Sequence, residues 1–303
     1  MVITIQKIKD ALSASGYCAN DRIIYALYAS MLADKPLLIE GAPGVGKTCL
    51  AKAVADGMGL PYIRMQMYEG LTADQILYDY DYQKQLLTLE AVRPKLNEAY
   101  QGLSLQESIK AAVGSMDFYG EDFLIRRPVL RAISSGERTV IVFDEIDKAP
   151  EELEYMLYEF LENYSITIPQ YGEIRCRPEC KPVVLLTSNS YRELSGALKR
   201  RCNYLYIEQK TQEEVIKILM VRTGISESLA KGVAKCLQMI QNTRLHQMPS
   251  IAEAIDFADF LSRNGDVTKS LVMNSLGILC KNRKDETAIR QIVNENGSIL
   301  WQG

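Results

Sequence analysis

Apolar positions along this chain change their period, and the changes divide it. Over residues 2–33 they recur at helical spacing, as Ile5, Ile8 and Leu12 and then Ile23, Ile24, Leu27 and Leu32. Gly16-Tyr17 and Asn20-Asp21 interrupt the pattern, which predicts two helices, the second capped by Asp21. Short apolar runs then take over: Pro36–Glu40, Pro61–Met67, Thr139–Phe143, Pro182–Leu186 and Asn203–Ile207. The run through Val140 and Phe143 shows no polar alternation, as expected of a central parallel strand covered on both faces. Helical spacing returns between the runs, over Cys49–Ala55 with Gly57 and Gly59 to close it, and after Pro150 through Leu153, Met156, Leu157 and Phe160. Ser165–Ile168 and Glu173–Cys176 flank Pro169-Gln170-Tyr171-Gly172, which predicts a hairpin. In residues 68–135 apolar clusters alternate with tyrosines, and Gly114 and Gly120 mark loops. Helices with an inserted loop or hairpin are expected there.

From Glu208 onward the period is helical throughout, with capping boxes at Thr211/Glu214 and Ser250/Glu253. The chain therefore divides into an α/β domain over residues 1–208 and a small all-helical domain over 209–303. Hydrophobic residues at 47% and charged residues at 24% of 303 supply an ordinary globular core. The net charge of −3 argues against a surface built mainly to grip nucleic acid. Met1–Asp10 has no apolar stretch of signal-peptide type, and no apolar run approaches membrane-spanning length. Seven scattered cysteines suggest reduced thiols, so a cytoplasmic location without membrane partners is expected. Cys176 and Cys180 lie close together, but one histidine (His246) and no second cysteine pair leave a zinc site poorly supplied.

The first strand runs into Gly41-Ala42-Pro43-Gly44-Val45-Gly46-Lys47-Thr48, followed by Cys49 and a helix. That is the setting the G-x-x-x-x-G-K-[ST] phosphate loop needs. Glycines let successive backbone N–H groups turn inward, and the helix N-terminus adds a partial positive charge. Lys47 would reach the β- and γ-phosphates of a nucleoside triphosphate, and the Thr48 hydroxyl would ligand Mg²⁺. In a doubly wound sheet ligands sit at the carboxyl ends of strands, so the residues ending other strands converge on the same crevice. Asp144 would hold Mg²⁺ through its water shell, and Glu145 would polarise the attacking water. The Asn189 amide is placed to orient that water or touch the γ-phosphate. Arg200 and Arg201 could reach a neighbouring subunit's γ-phosphate and stabilise transition-state charge in trans. No N-K-x-D guanine-reading motif is present, which points to ATP.

GAPGVGKT, VIVFDEID, LLTSN and ALKRRC, in that order, resemble the AAA+ ATPases. YEGLTADQILYDYDYQKQLL, FLIRRPVLRAI, ITIPQYGEIRC and PVVLLTSNSYRELSGALKRRC resemble the MoxR-type branch, and together these segments cover most of residues 36–207. The resemblance implies a P-loop NTPase with a five-stranded parallel core sheet, a C-terminal helical lid, and a ring, usually hexameric, with ATP between neighbours. It favours Arg201 as the trans arginine, with Arg200 the alternative, and makes Gln66 similar to a polar switch that restrains Glu145. It also makes residues 165–176 similar to a remodelling hairpin. MoxR-type proteins typically work beside a partner bearing a von Willebrand factor A domain, often maturing a client enzyme by delivering a cofactor or metal. One feature departs from the pattern. Where relatives carry a sensor arginine early in a lid helix, this chain has Pro249-Ser250-Ile251-Ala252-Glu253, leaving Arg244 and Lys231 as candidate substitutes. The leading expectation is an Mg²⁺-dependent ATPase ring that remodels or matures a protein client. The alternatives are a nucleotide-gated scaffold with little turnover and a clamp-loader-like nucleic-acid ATPase.

Overall fold

The computed structural model describes residues 3–99, 117–243 and 245–296, together with 102, 104, 106 and 107. Gly114 and Arg244 lie outside the described residues. Helices α1 (Ile5–Ala14) and α2 (Asp21–Leu32) precede β1 (Leu37–Gly41), α3 (Lys47–Met58) and β2 (Tyr62–Gln66). The cap of α2 is Asn20, whose side chain accepts from the Ile23 N–H, and Asp21 is the first helical residue. An asparagine with extended backbone can fold its amide oxygen onto the helix start, and the acid one place later still suits the positive helix end. Gly57 does not close α3 but sits inside it, against α1. A Cβ there would lie 2.0 Å from the Ala11 carbonyl oxygen, so its smallness serves helix–helix approach. Gly59 is the left-handed cap.

The less legible stretch holds α4 (Ala73–Ile76), β3 (Tyr78–Tyr80), α5 (Tyr82–Ala99), β4 (Leu124–Arg126) and α6 (Pro128–Ile133), with β3 and β4 paired antiparallel. Then come β5 (Val140–Asp144), α7 (Glu151–Asn163), the hairpin β6 (Ser165–Ile168) and β7 (Gly172–Arg175), β8 (Val183–Ser188), α8 (Gly196–Arg201) and β9 (Asn203–Ile207). The described residues after β9 form helices: α9 (Gln212–Thr223), α10 (Glu227–Gln241), α11 (Ile251–Arg263), α12 (Lys269–Ser275) and α13 (Arg283–Asn296). Both capping boxes form. None of the helices among the described residues is long and apolar enough to cross a membrane.

The main sheet has five strands in the order β2-β5-β8-β1-β9, every neighbouring pair parallel. Its apolar runs lack alternation because alternate side chains enter two different cores. Leu38, Ile141, Phe143, Val184 and Leu186 face a core shared with α6 and α7. Leu37, Ile39, Val140, Val142, Val183 and Leu185 face the core built with α1, α2 and α3. A third cluster, from Val215 to Val293, belongs to the C-terminal helices alone. With β1, β5 and β8 adjacent and parallel, their carboxyl ends finish side by side. That places Gly41, Asp144 and Asn189 at one end of the sheet.

Candidate functional site

A cleft of about 380 Å³ opens where these strand ends meet the C-terminal helices. Its floor is the loop Pro43–Thr48, whose Gly44 and Gly46 take left-handed backbone conformations (φ 80° and 96°) closed to most side chains. Gly44 is also packed from above, since a Cβ on it would lie 2.5 Å from Ser250 Cβ at the start of α11. Tyr17 and Cys18 form one wall, and the Tyr17 hydroxyl donates to the Gly46 carbonyl oxygen at 3.4 Å. Cys49 lines the cleft from the first turn of α3 and is exposed.

At the foot of the cleft the strand-end residues are bonded to one another. Lys47 Nζ donates to the carbonyl oxygens of Gly41 (2.6 Å) and Ala42 (3.0 Å) and to Asn189 Oδ1 (2.7 Å). Burial lowers the Lys47 pKa, opposed by the nearby charges of Asp147, Asp144 and Glu145. Asp144 Oδ1 accepts from Thr48 Oγ1 (2.8 Å) and Thr187 Oγ1 (2.6 Å), while Asp144 Oδ2 accepts from Arg64 Nε (2.9 Å) and Nη2 (2.5 Å). That bonding raises the Arg64 pKa. Glu145, in a left-handed conformation at φ 58°, is fixed by its N–H donating to Thr187 Oγ1 at 2.9 Å. Its carboxylate accepts from Asn189 Nδ2 (2.8 Å), Gln66 Nε2 (2.7 Å) and Lys148 Nζ (2.8 Å). The hydrogen bond to Glu145 raises the Lys148 pKa. Buried Asp147 accepts from the N–H groups of Asn189 and Tyr191, which anchors the turn after β8.

The structure thus brings together Lys47, Thr48, Asp144, Glu145 and Asn189, with Gln66 against Glu145. The two arginines of α8 are not in the cluster. Arg201 is held within its own chain: Nε and Nη2 meet Glu162 Oε2 at 3.0 and 2.8 Å, Nη1 donates to the Ala197 carbonyl oxygen, and the guanidinium lies 4.4 Å over the Tyr158 ring. Arg200 is exposed. On the side of the C-terminal helices, Ile251 and Ala252, at the start of α11, line the cleft. Lys231 is paired with Glu227 at 2.6 Å and does not line the cleft. Among the described residues, Lys210 and Arg222 line it from that side. Sequence reasoning passed over both, and over Arg64, Lys148 and Thr187. A signal existed for Arg64, two places before Gln66 and so on the same face of β2. The distant pairings of Lys210 and Arg222 left none.

The donor set fits the groups expected from the motifs. Thr48 Oγ1 and Asp144 Oδ1 are hard oxygens placed side by side, and a guanidinium already stands against the same carboxylate as a stand-in cation. Lys47 Nζ, bonded to two backbone carbonyls, is positioned at the mouth of the Gly-rich loop, as a phosphate ligand requires.

Residues 36–202 match the family model described as AAA domain (dynein-related subfamily). Among solved structures, the chain resembles the Thermotoga maritima RuvB Holliday junction branch migration motor. The identity is 17% and the TM-score 0.43, covering 99% of this chain and 73% of that one. A proline-to-glycine mutant of Thermotoga maritima RuvB gives 18% identity, TM-score 0.44 and coverages of 99% and 74%. No curated protein matches.

Proposed function

We propose that this chain, which belongs to the AAA domain family in its dynein-related subfamily, is an Mg²⁺-dependent ATPase of MoxR type. It works as a ring of its own copies, hexameric by the family's habit, to remodel or mature a protein client beside a von Willebrand factor A domain partner. The observation that carries the reading is the bonded cluster at the foot of the cleft, in which Asn189 bonds both Lys47 and Glu145 while Asp144 bonds Thr48, next along the chain from Lys47.

Residues 1–208 act as the motor core and 209–303 as the lid. The Gly41–Thr48 loop and Lys47 hold the triphosphate, with Cys49 at the first turn of α3. Thr48 and Asp144 hold Mg²⁺, which when bound neutralises phosphate charge. Glu145 accepts the proton of the attacking water once it leaves Gln66 and Lys148, and Asn189 keeps Glu145 and Lys47 in register. A trans arginine comes from α8: Arg201 reaches a neighbour by leaving Glu162, and Arg200 is the alternative. The hairpin β6–β7 faces the client. Ala252, in place of a lid arginine, favours a second reading, a nucleotide-gated scaffold with little turnover.

The test uses two variants. Lys47→Ala should lose ATP binding. Glu145→Gln should bind ATP, stay assembled and turn over at a small fraction of the parent rate. Normal ATP affinity in Lys47→Ala refutes the nucleotide site. A parent that binds ATP but hydrolyses no faster than Glu145→Gln supports the scaffold instead. The Glu145→Gln protein, held in its ATP state, then serves as bait for client and partner.

A further inference from the structure

Asp144 carries its charge at a deeply buried point of the cluster. Its side chain is 3% exposed, at the end of a strand whose residues are all buried. A carboxylate so placed needs compensating charge whether or not a metal is present, because an unpaired buried charge is costly. The Thr48 and Thr187 hydroxyls supply dipoles to Oδ1 only. The charge is balanced by Arg64, which brings Nε and Nη2 onto Oδ2 from the edge strand β2. The Arg64 side chain is 47% exposed, so it has open solvent to retreat into without disturbing the core.

We propose that Arg64 is an internal counter-cation for Asp144, which the divalent cation must displace when it enters the site. The inference rests on the nucleotide-site reading above and adds a regulation to it. Arg64 and the metal compete for one carboxylate, so the site is charge-balanced when empty and metal entry is opposed by a defined contact. Arg64 Nη2 also donates to Gln66 Oε1 at 2.9 Å, and Gln66 donates in turn to Glu145. Displacing the guanidinium therefore removes one of the bonds that fix the Gln66 amide on Glu145. Metal arrival at Asp144 and loosening of Glu145 become linked through two neighbouring side chains of β2. Arg64 bonds Asp144 and Gln66 and is a positioning residue that acts through them.

The test titrates Mg²⁺ against binding of a fluorescent, non-hydrolysable ATP analogue and compares the parent with Arg64→Met, Arg64→Lys and Gln66→Ala. Without the competing guanidinium, the Mg²⁺ midpoint of Arg64→Met should fall roughly tenfold. Arg64→Lys should fall between it and the parent, and Gln66→Ala, which removes one contact of the guanidinium but leaves its charge, should lower the midpoint less than Arg64→Met. Melting temperature supplies a second readout. In EDTA without nucleotide, Arg64→Met should melt below the parent, and saturating Mg²⁺ with analogue should close the gap. A purely structural role would leave the same gap in both conditions, which would overturn the proposal, as would an unchanged or raised Mg²⁺ midpoint. A parent that fails to bind the analogue at any Mg²⁺ concentration removes the nucleotide site itself, a result distinct from a normal binder with an unmoved midpoint.

Discussion

Thr187→Val tests whether the cluster is as tightly made as its geometry says. Thr187 is completely buried, and its single hydroxyl does two things: it donates to Asp144 Oδ1 at 2.6 Å and accepts the Glu145 N–H at 2.9 Å. Valine matches its shape but not its hydroxyl. Losing a hydrogen bond to a charged group costs about 1.5–3 kcal/mol, and stranding a donor about 1–3 kcal/mol. Asp144 keeps Thr48 and Arg64, and Glu145 lies near the cleft where water can reach it, so the low ends apply and sum to about 2.5 kcal/mol. At about 2–4 °C per kcal/mol, the melting temperature in EDTA should fall roughly 5–10 °C. Glu145 also occupies a backbone conformation that costs a non-glycine residue about 1–3 kcal/mol and persists only while its surroundings impose it. Releasing its N–H should therefore cut ATP turnover while nucleotide affinity holds. Thr187→Ser restores both bonds and should recover both properties. If Thr187→Val melts within about 1 °C of the parent, or if serine does no better than valine, the hydroxyl is not the hinge of this site.

The two arginines of α8 separate by mixing. Arg201→Ala subunits should be inactive alone and regain turnover with Glu145→Gln subunits, since an exposed ion pair and a stacked ring hold Arg201 by only about 1–2 kcal/mol, a contact readily exchanged. Complementation by Arg200→Ala alone would move the trans role to Arg200. Thiol labelling probes the cleft from another direction. Exposed Cys49 should react with a thiol reagent and be shielded by ATP, while Cys202 and Cys236, whose pKa values burial pushes up to about 12, stay slow in both states. Equal Cys49 labelling with and without ATP would place the nucleotide elsewhere.

Much of this arrangement is readable from residues because local rules and tertiary demands agree. The apolar runs of β1, β5 and β8 carry their own explanation, two cores fed by alternate side chains, and the polar residues that end them have nowhere to go but the shared sheet edge. Capping boxes at Thr211 and Ser250 are local by construction. What stayed hidden depends on approach between distant segments. Gly57 reads as a helix stop, yet its role is set by Ala11, far away in sequence. Asn20 and Asp21 are both good caps, and the choice between them turns on backbone angles that composition does not report. The lack of an arginine at Ser250-Ile251-Ala252 was legible, but its surroundings were not: Lys210, just before α9, and Arg222, on it, face the cleft through tertiary docking. Arg201 matched a pattern, while its tie to Glu162 and Tyr158 is a matter of packing between α7 and α8.

The ligand-free cluster is already neutral within itself. Lys47, Arg64 and Lys148 stand against Asp144, Glu145 and Asp147, and the side-chain ends of Lys47, Asp144 and Glu145 each bond protein partners. If the cluster is the ATPase site proposed above, such pairing keeps its six charges from destabilising the fold each time product departs. The consequence for binding is that nothing enters for free. On the proposed function, triphosphate oxygens take Lys47 from the Gly41 and Ala42 carbonyls, a cation takes Asp144 from Arg64, and a water takes Glu145 from Gln66 and Lys148. Measured affinity is then a difference between two well-bonded networks. Every substitution in the cluster acts on both, so a variant that binds nucleotide more tightly than the parent would be evidence for these internal contacts and not against them.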